Sequence, residues 1–182
     1  MLIGACSRRT EEPAAKPRPS AAEAPAPSGS TAGLELRWVD PPGWKRRPGS
    51  NAMRKFEYTI ARAPGDTEDG ELVVTSFGQG QGGSIDSNID RWVRQFSPDA
   101  KSEAKRDKRT AGGYPVELVD VDGTYNAMAM PGGPPPQPKP RYRLLGAIVS
   151  TPSTLWFFKM TGPDATVAAA RSQFHALLDT VH

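Results

Sequence analysis

The pattern of apolar and polar residues predicts a strand-rich domain from position 34 onward. Residues 34–39 alternate between apolar and polar side chains, as a half-buried strand does. In later segments, apolar residues form short runs that are bounded by Gly, Pro and Asp, a pattern that is typical of strands. These predicted strands are residues 53–60, 71–77, 114–121, 143–149 and 154–160. Asp122 and Gly123 are expected to turn the chain.

Two segments have helical periodicity instead. In residues 85–96, apolar side chains recur at helical spacing, Ser84 is placed to cap the first turn, and Pro98 ends the segment. A second helix is expected from Asp164, with an apolar stripe that continues to Val181. Strands joined by short connections favour an antiparallel sheet with helices packed on it. We therefore predict an α+β fold, a mainly antiparallel sheet covered by helices, over residues 34–182.

Residues 1–33 have a different composition. They are largely Ala, Pro and Ser, and five prolines, Pro13, Pro17, Pro19, Pro25 and Pro27, prevent a continuous helix. Such a segment cannot bury enough apolar surface to offset the entropy of ordering it. We expect residues 1–33 to be a disordered tether and residues 34–182 to be a single domain.

The chain has one cysteine, Cys6, which excludes an intrachain disulfide and a multi-thiolate metal site. The run from Ile3 to Cys6 resembles the lipobox of bacterial lipoproteins, in which a branched apolar residue and two small residues precede the acylated cysteine. This resemblance implies a fatty-acylated Cys6, a membrane partner through that lipid, and a place in the bacterial cell envelope. Alternatively, if Met1 is the true start of the protein, Cys6 is a thiol on a flexible end.

Several short motifs of the domain resemble known families. They are Gly43-Trp44, the helix residues Asn88, Ile89, Arg91 and Trp92, and the strand Trp156-Phe157-Phe158-Lys159. This set resembles the family that contains the photosystem II extrinsic protein PsbP and the Ran-binding protein Mog1. A second set is similar to uncharacterised bacterial lipoproteins: Gly82-Gly83, then Asn88, Arg91, Trp92 and Gln95, then Phe157, Phe158 and Lys159. The resemblance spans residues 34–182 and implies an α/β/α sandwich that binds other proteins.

A glycine-rich segment, Gly78 to Gly83, matches G-x-G-x-x-G between a predicted strand and a predicted helix. A dinucleotide site also needs a second buried strand after the helix. Residues 101–109 follow instead. Their odd positions, Lys101, Glu103, Lys105, Asp107 and Arg109, alternate in sign, which favours a solvated edge strand; the alternative is a functional basic patch. We favour a flexible glycine loop over a nucleotide site.

Three polar residues of the first helix, Asn88, Arg91 and Gln95, share one face. One interpretation is that Arg91 and Gln95 bond carbonyls of the glycine loop and fix it. The other is that the three residues line a polar groove which, with Gly80, Gly82 and Gly83, holds a small anionic ligand.

Other chemistry has little support in the sequence. Two histidines, His175 and His182, lack the spacing of a metal site or a catalytic base, so no metal, cofactor or catalytic residue is expected. A net charge of +3 gives no reason to expect nucleic acid as a partner. The sequence thus favours a lipid-anchored envelope protein with a non-catalytic, protein-binding or scaffolding domain. The alternative is a ligand-binding domain or enzyme that holds an anionic ligand at the glycine loop and polar helix face.

Overall fold

The computed structural model describes Met1 and residues 36–51, 53–78, 80–97, 103–127 and 135–182. Over these residues the chain forms a seven-stranded sheet in which each pair of neighbouring strands is antiparallel. The strands are β1 (Lys45–Pro48), β2 (Arg54–Ile60), β3 (Gly70–Gly78), β4 (Lys105–Ala111), β5 (Tyr114–Tyr125), β6 (Lys139–Ser150) and β7 (Thr154–Pro163). Their spatial order is β1-β2-β3-β7-β6-β5-β4. The helices are α1 (Ile85–Val93) and α2 (Asp164–Asp179).

The two helices lie on opposite faces of the sheet, as the alternation of side chains along β7 shows. Trp156, Phe158 and Met160 belong to one core cluster together with the apolar stripe of α2, whereas Phe157 belongs to a second cluster with α1. Successive residues of a strand point to opposite faces, so each face has its own core. The predicted α+β fold, an antiparallel sheet covered by helices, is confirmed.

Helix α1 begins where the sequence indicates. The Ser84 hydroxyl accepts a hydrogen bond of 3.1 Å from the backbone N–H of Ser87, which satisfies one free donor of the first turn. Trp92 and Val93 are buried in the cluster that α1 forms with β5, β6 and β7. Because α1 has only nine residues, it covers one half of its face of the sheet. The other half, on β2 and β3, borders the groove described below.

Two sequence predictions for the domain are wrong. Residues 36–39 are not a strand of the sheet, although their alternation is real: Leu36 and Trp38 are buried and Arg37 is exposed. Arg37 instead exchanges two backbone hydrogen bonds of 3.0 Å with His182. The predicted turn at residues 122–123 lies inside β5, which continues to Tyr125.

The remaining predicted strands have counterparts, and one strand was missed. Residues 105–109 of the charged run lie in the edge strand β4, as expected, whereas residues 103–104 precede the strand. Strand β1 was missed because its sequence, KRRP, is fully polar apart from Pro48. The tether at residues 1–33 and Cys6 within it lie outside the described residues, apart from Met1. In the part of the chain that the structure describes, neither helix is long and apolar enough to span a membrane.

Candidate functional site

A groove of about 280 Å³ runs between α1 and the half of the sheet that α1 leaves open. Its walls come from α1 and from strands β2, β3, β5 and β7. The lining residues are Arg54, Glu71, Val73, Thr75, Phe77, Arg91, Trp92, Tyr125, Phe157, Lys159 and Thr161. We call it the Lys159 groove.

Lys159 lies at the base of this groove, on the central strand β7. Its Nζ donates a hydrogen bond of 2.6 Å to Oε1 of Gln95, just beyond the end of α1, and lies 5.7 Å from the centre of the Tyr125 ring. Burial, followed by the nearby guanidinium groups of Arg91 and Arg54, lowers the pKa of Lys159 from 10.5 to about 8. The groove therefore holds a charged amine whose environment disfavours its charge.

Arg91 is the second cation of the groove and is connected to the glycine loop. Its Nη2 donates to Oδ1 of Asn88, a buried side chain. The Asn88 amide in turn donates to the carbonyl oxygens of Gly82, at 2.7 Å, and Ser84, at 2.8 Å. The loop, the helix and the groove thus share one chain of hydrogen bonds.

A network of two arginines and two glutamates borders the groove on the side of β1 to β3. Arg47 bonds Glu57 at 2.9 Å and Glu71 at 3.2 Å, and Arg54 bonds Glu57 at 3.0 Å. Glu57 is only 3% exposed, and hydrogen bonds from the Ser50 hydroxyl, the Ser50 backbone N–H and both arginines lower its pKa from 4.5 to about 2. The four charges compensate one another.

No such compensation exists for Arg91 and Lys159. Neither forms an ion pair with a carboxylate among the described residues, since their hydrogen bonds go to the neutral amides of Asn88 and Gln95. The groove therefore carries an excess of two positive charges when Lys159 is protonated.

Aromatic rings form the apolar part of the groove. The ring of Phe157 packs edge to face against Phe77, with 5.6 Å between ring centres, and against Trp92, at 6.1 Å. Thr75 and Thr161 add hydroxyl groups to the lining. A ligand in this groove would meet charged donors and apolar surface together, the usual composition of a small-molecule site.

The structure brings together some of the site residues predicted from the sequence. Arg91 lines the groove, and the Gln95 side chain accepts a hydrogen bond from Lys159, whereas Asn88, Gly80, Gly82 and Gly83 are not among the lining residues. That these residues hold a ligand stays a prediction. The interpretation that Arg91 and Gln95 bond the loop carbonyls is wrong, because Asn88 makes those bonds.

The glycines of the loop lie at one end of the groove. A Cβ at Gly82 would lie 2.9 Å from the ring of Phe77, which lines the groove, and Gly82 and Gly83 have φ angles of 81° and 82°. Gly80 is exposed, and a Cβ there would meet nothing within 4 Å. The loop thus packs against the wall of the groove, and its positive φ angles account for the glycines.

Lys159 was not predicted as a site residue from the sequence, where it appears only in the motifs that resemble known families. The signal that identifies it is its position: it follows Phe158 in a strand that is apolar on both faces, and it shares a face with Phe157. Among the described residues, no group of three or more His, Cys, Asp or Glu side chains could hold a metal ion.

No protein-family model matches the chain, and no curated protein matches it. The solved structures that are similar in fold include the following two. A protein of unknown function from Pseudomonas aeruginosa, described as a candidate regulator, has a TM-score of 0.44 at 11% identity and covers 68% of this chain and 78% of its own. The solution structure of cyanobacterial PsbP from Synechocystis sp. PCC 6803 has a TM-score of 0.47 at 14% identity, with 86% of this chain and 99% of that chain covered. Both similarities concern the fold alone.

Proposed function

We propose that the chain is a lipid-anchored protein of the bacterial cell envelope, whose domain binds a partner protein in the Lys159 groove and does not catalyse a reaction. One observation carries the binding part of the proposal. Lys159 and Arg91 are held by neutral amides in a partly enclosed groove, without a carboxylate to compensate their charge. Arg91 is exposed, whereas Lys159 is half-buried, and removing a charge from water without a counter-ion is costly. A partner that supplies the negative charge would recover that cost.

The groups in the groove support holding a ligand more than transforming one. Glu71 is the one carboxylate among the described lining residues, and Arg47 already bonds it at 3.2 Å. The remaining polar groups are guanidinium, ammonium, hydroxyl and phenol groups, which donate hydrogen bonds to an anion.

Two features support the anchoring part. The lipobox-like run ends at Cys6, and the Pro-rich segment after it has the composition of a spacer. Leu36 is buried in the core cluster on the α2 side of the sheet, the face opposite the Lys159 groove.

Metabolic labelling with a fatty-acid analogue tests the anchoring. The gene is expressed with its native upstream DNA, beside a Cys6→Ala variant that matches it in all other residues. We expect label and membrane association for the native protein and neither for the variant. An unlabelled native product in the soluble fraction would overturn the anchoring.

Site-specific photocrosslinking in cells tests the groove as the binding site. A photoreactive residue at Thr161, in the groove, is compared with one at Ser172, which is exposed on α2 at the other face. We expect a discrete crosslinked protein from position 161 that weakens when Arg91→Gln is added. Equal crosslinking from both positions, or no effect of Arg91→Gln, would contradict binding in the groove.

A further inference from the structure

We infer that the chemical group recognised by the Lys159 groove is a carboxylate attached to an apolar body, an inference that deepens the proposed function and rests on it. The argument has three steps: the charge that the groove lacks, the apolar surface beside that charge, and the volume available.

The first step is charge. Arg91 and Lys159 are the two cations of the groove that no described carboxylate pairs with, whereas Arg54 is bonded to Glu57 at 3.0 Å. Lys159 Nζ donates to Gln95 at 2.6 Å, and an ammonium group has three donors, so it retains donors for a ligand. An ammonium and a guanidinium on adjacent walls are suited to the two oxygens of one carboxylate.

The second step is the apolar surface. Phe77, Trp92 and Phe157 line the groove beside the cations and pack edge to face. Trp92 and Phe157 are buried, whereas the rings of Phe77 and Tyr125 are partly exposed. A small inorganic anion would leave these two rings in contact with water, whereas a ligand with an apolar body covers them. The anion is therefore expected to be part of an organic molecule or a peptide.

The third step is size. The groove has about 280 Å³ of space, close to the lower end of the ~300–1,000 Å³ typical of small-molecule sites. A phenyl ring with a short acid chain is suited to that volume. 3-Phenylpropionate combines both elements and serves as the probe.

The binding experiment compares 3-phenylpropionate with 3-phenylpropanol and 3-phenylpropylamine, which keep the apolar body and change the charge. Binding to the full chain is followed through fluorescence of Trp92, with Trp92→Phe as the control that removes the signal. The remaining tryptophans, Trp38, Trp44 and Trp156, belong to the core on the other face of the sheet. We expect the acid to bind about tenfold or more tightly than the alcohol or the amine. Equal binding of acid and alcohol, or tighter binding of inorganic phosphate, would overturn the inference.

Matched variants locate the anion. Lys159→Met removes the half-buried amine, and Lys105→Met makes the same change at an exposed position of the edge strand β4. We expect Lys159→Met to weaken the binding of the acid about tenfold or more and to leave the binding of the alcohol unchanged. If Lys159→Met and Lys105→Met bind the acid equally, Lys159 does not hold the carboxylate. Arg91→Gln is the second variant and is expected to act in the same direction.

Proton uptake is a readout that a purely structural lysine would not give. The charged and titratable groups facing Lys159 are Arg91 from α1, Arg54 from β2, Glu71 from β3 and Tyr125 from β5. A carboxylate bound beside the amine favours its protonated form. Calorimetry at a pH near 8.5, in buffers that differ in ionisation enthalpy, should show proton uptake in the wild type and none in Lys159→Met. Equal uptake in both proteins would contradict the assignment.

Two sources of the carboxylate are distinguished by a peptide that ends in phenylalanine, tested with a free and with an amidated C-terminus. Tight binding of the free peptide alone assigns the carboxylate to a protein chain end, and tight binding of 3-phenylpropionate assigns it to a free acid. If neither binds, the inference fails. The proposed function then still stands provided that crosslinking from Thr161 depends on Arg91.

Discussion

Lys159 and Gln95 join the central strand of the sheet to the end of helix α1 through a single hydrogen bond of 2.6 Å. The acceptor is a neutral amide oxygen, which orients the amine without neutralising its charge. A glutamate has the same shape as glutamine and differs in charge. The choice between the two at position 95 therefore sets the net charge of the groove.

Gln95→Glu should place a carboxylate beside Lys159 and raise the pKa of Lys159 from about 8 toward its usual value. It should also weaken the binding of an external anion, because the groove would supply its own. NMR titration of the Lys159 side chain measures the first effect. An unchanged pKa would show that residue 95 does not set the charge of the amine.

Lys159→Met should stabilise the fold, even though it weakens binding. The pKa of Lys159 is about 8 in the folded protein and 10.5 as a free side chain. The cost of holding it charged, up to about 3 kcal/mol, is complete below pH 8 and fades as the pH rises from 8 to 10.5. Urea unfolding should therefore show a variant more stable than wild type at pH 7, with a difference that shrinks by pH 10. A variant that is less stable at pH 7 would contradict this account.

Glu57→Gln should destabilise the domain by about 1–3 kcal/mol, because the buried carboxylate accepts bonds from Ser50, Arg47 and Arg54. Its pKa of about 2 lies below the ordinary 4.5. The stabilisation is therefore present above pH 4.5 and lost as the pH falls toward 2. Urea midpoints from pH 7 to 2.5 should fall more for the wild type than for the variant. Glu71→Gln, at a carboxylate that is 40% exposed, is the matched control. It should lower the free energy of unfolding by less than Glu57→Gln does.

Gly146→Ala should push α1 away from the sheet. A Cβ on Gly146 would lie 2.5 Å from the Trp92 ring and 2.8 Å from Val119, a clash expected to cost about 1–3 kcal/mol. Gly78→Ala is the control, because a Cβ there meets nothing within 4 Å. Thermal unfolding should separate the two variants, and the Trp92 fluorescence should change only in the first. Equal stability would mean that α1 can move at no cost.

Asn88→Ala should release the glycine loop, because it removes the bonds to the carbonyls of Gly82 and Ser84. The free energy of unfolding is expected to fall by about 1–3 kcal/mol. Hydrogen exchange should accelerate in residues 82–88 and remain unchanged in α2. Asn126→Ala, at an exposed asparagine, is the control. If exchange in the loop is the same in both variants, Asn88 does not hold it.

Most of the fold follows from local patterns in the sequence. The apolar strands after residue 53 and the stripe of α2 are visible as apolar patterns, and the Ser84 cap is visible as a capping residue type; each is found where it was predicted. Strand β1 has no such signal, because its side chains are polar. It is a strand because its backbone pairs with β2. The side chains of residues 36–39 alternate between buried and exposed, as predicted. The backbone partner of Arg37, however, is His182, which is far away in the sequence.

The candidate site was predictable only in part, for a similar reason. Arg91 and Gln95 share a helical face with Asn88, which helical spacing reveals. Lys159 is 64 residues from its hydrogen-bond partner Gln95 in the sequence, and the pairing of strands in the sheet brings the two together. A single lysine between Phe158 and Met160 in an apolar strand signals an unusual environment, but the residues that surround its side chain depend on the topology of the sheet.

The paired backbone bonds between Arg37 and His182 place the two ends of the domain side by side. A short Gly/Ser linker could therefore connect residue 182 to residue 36, and new ends could be opened at the exposed Gly65 in the connection between β2 and β3. Such a circular permutant keeps every strand intact. Because β2 and β3 carry Arg54 and Glu71 to the groove, reporters fused at the new ends would be mechanically coupled to whatever occupies it.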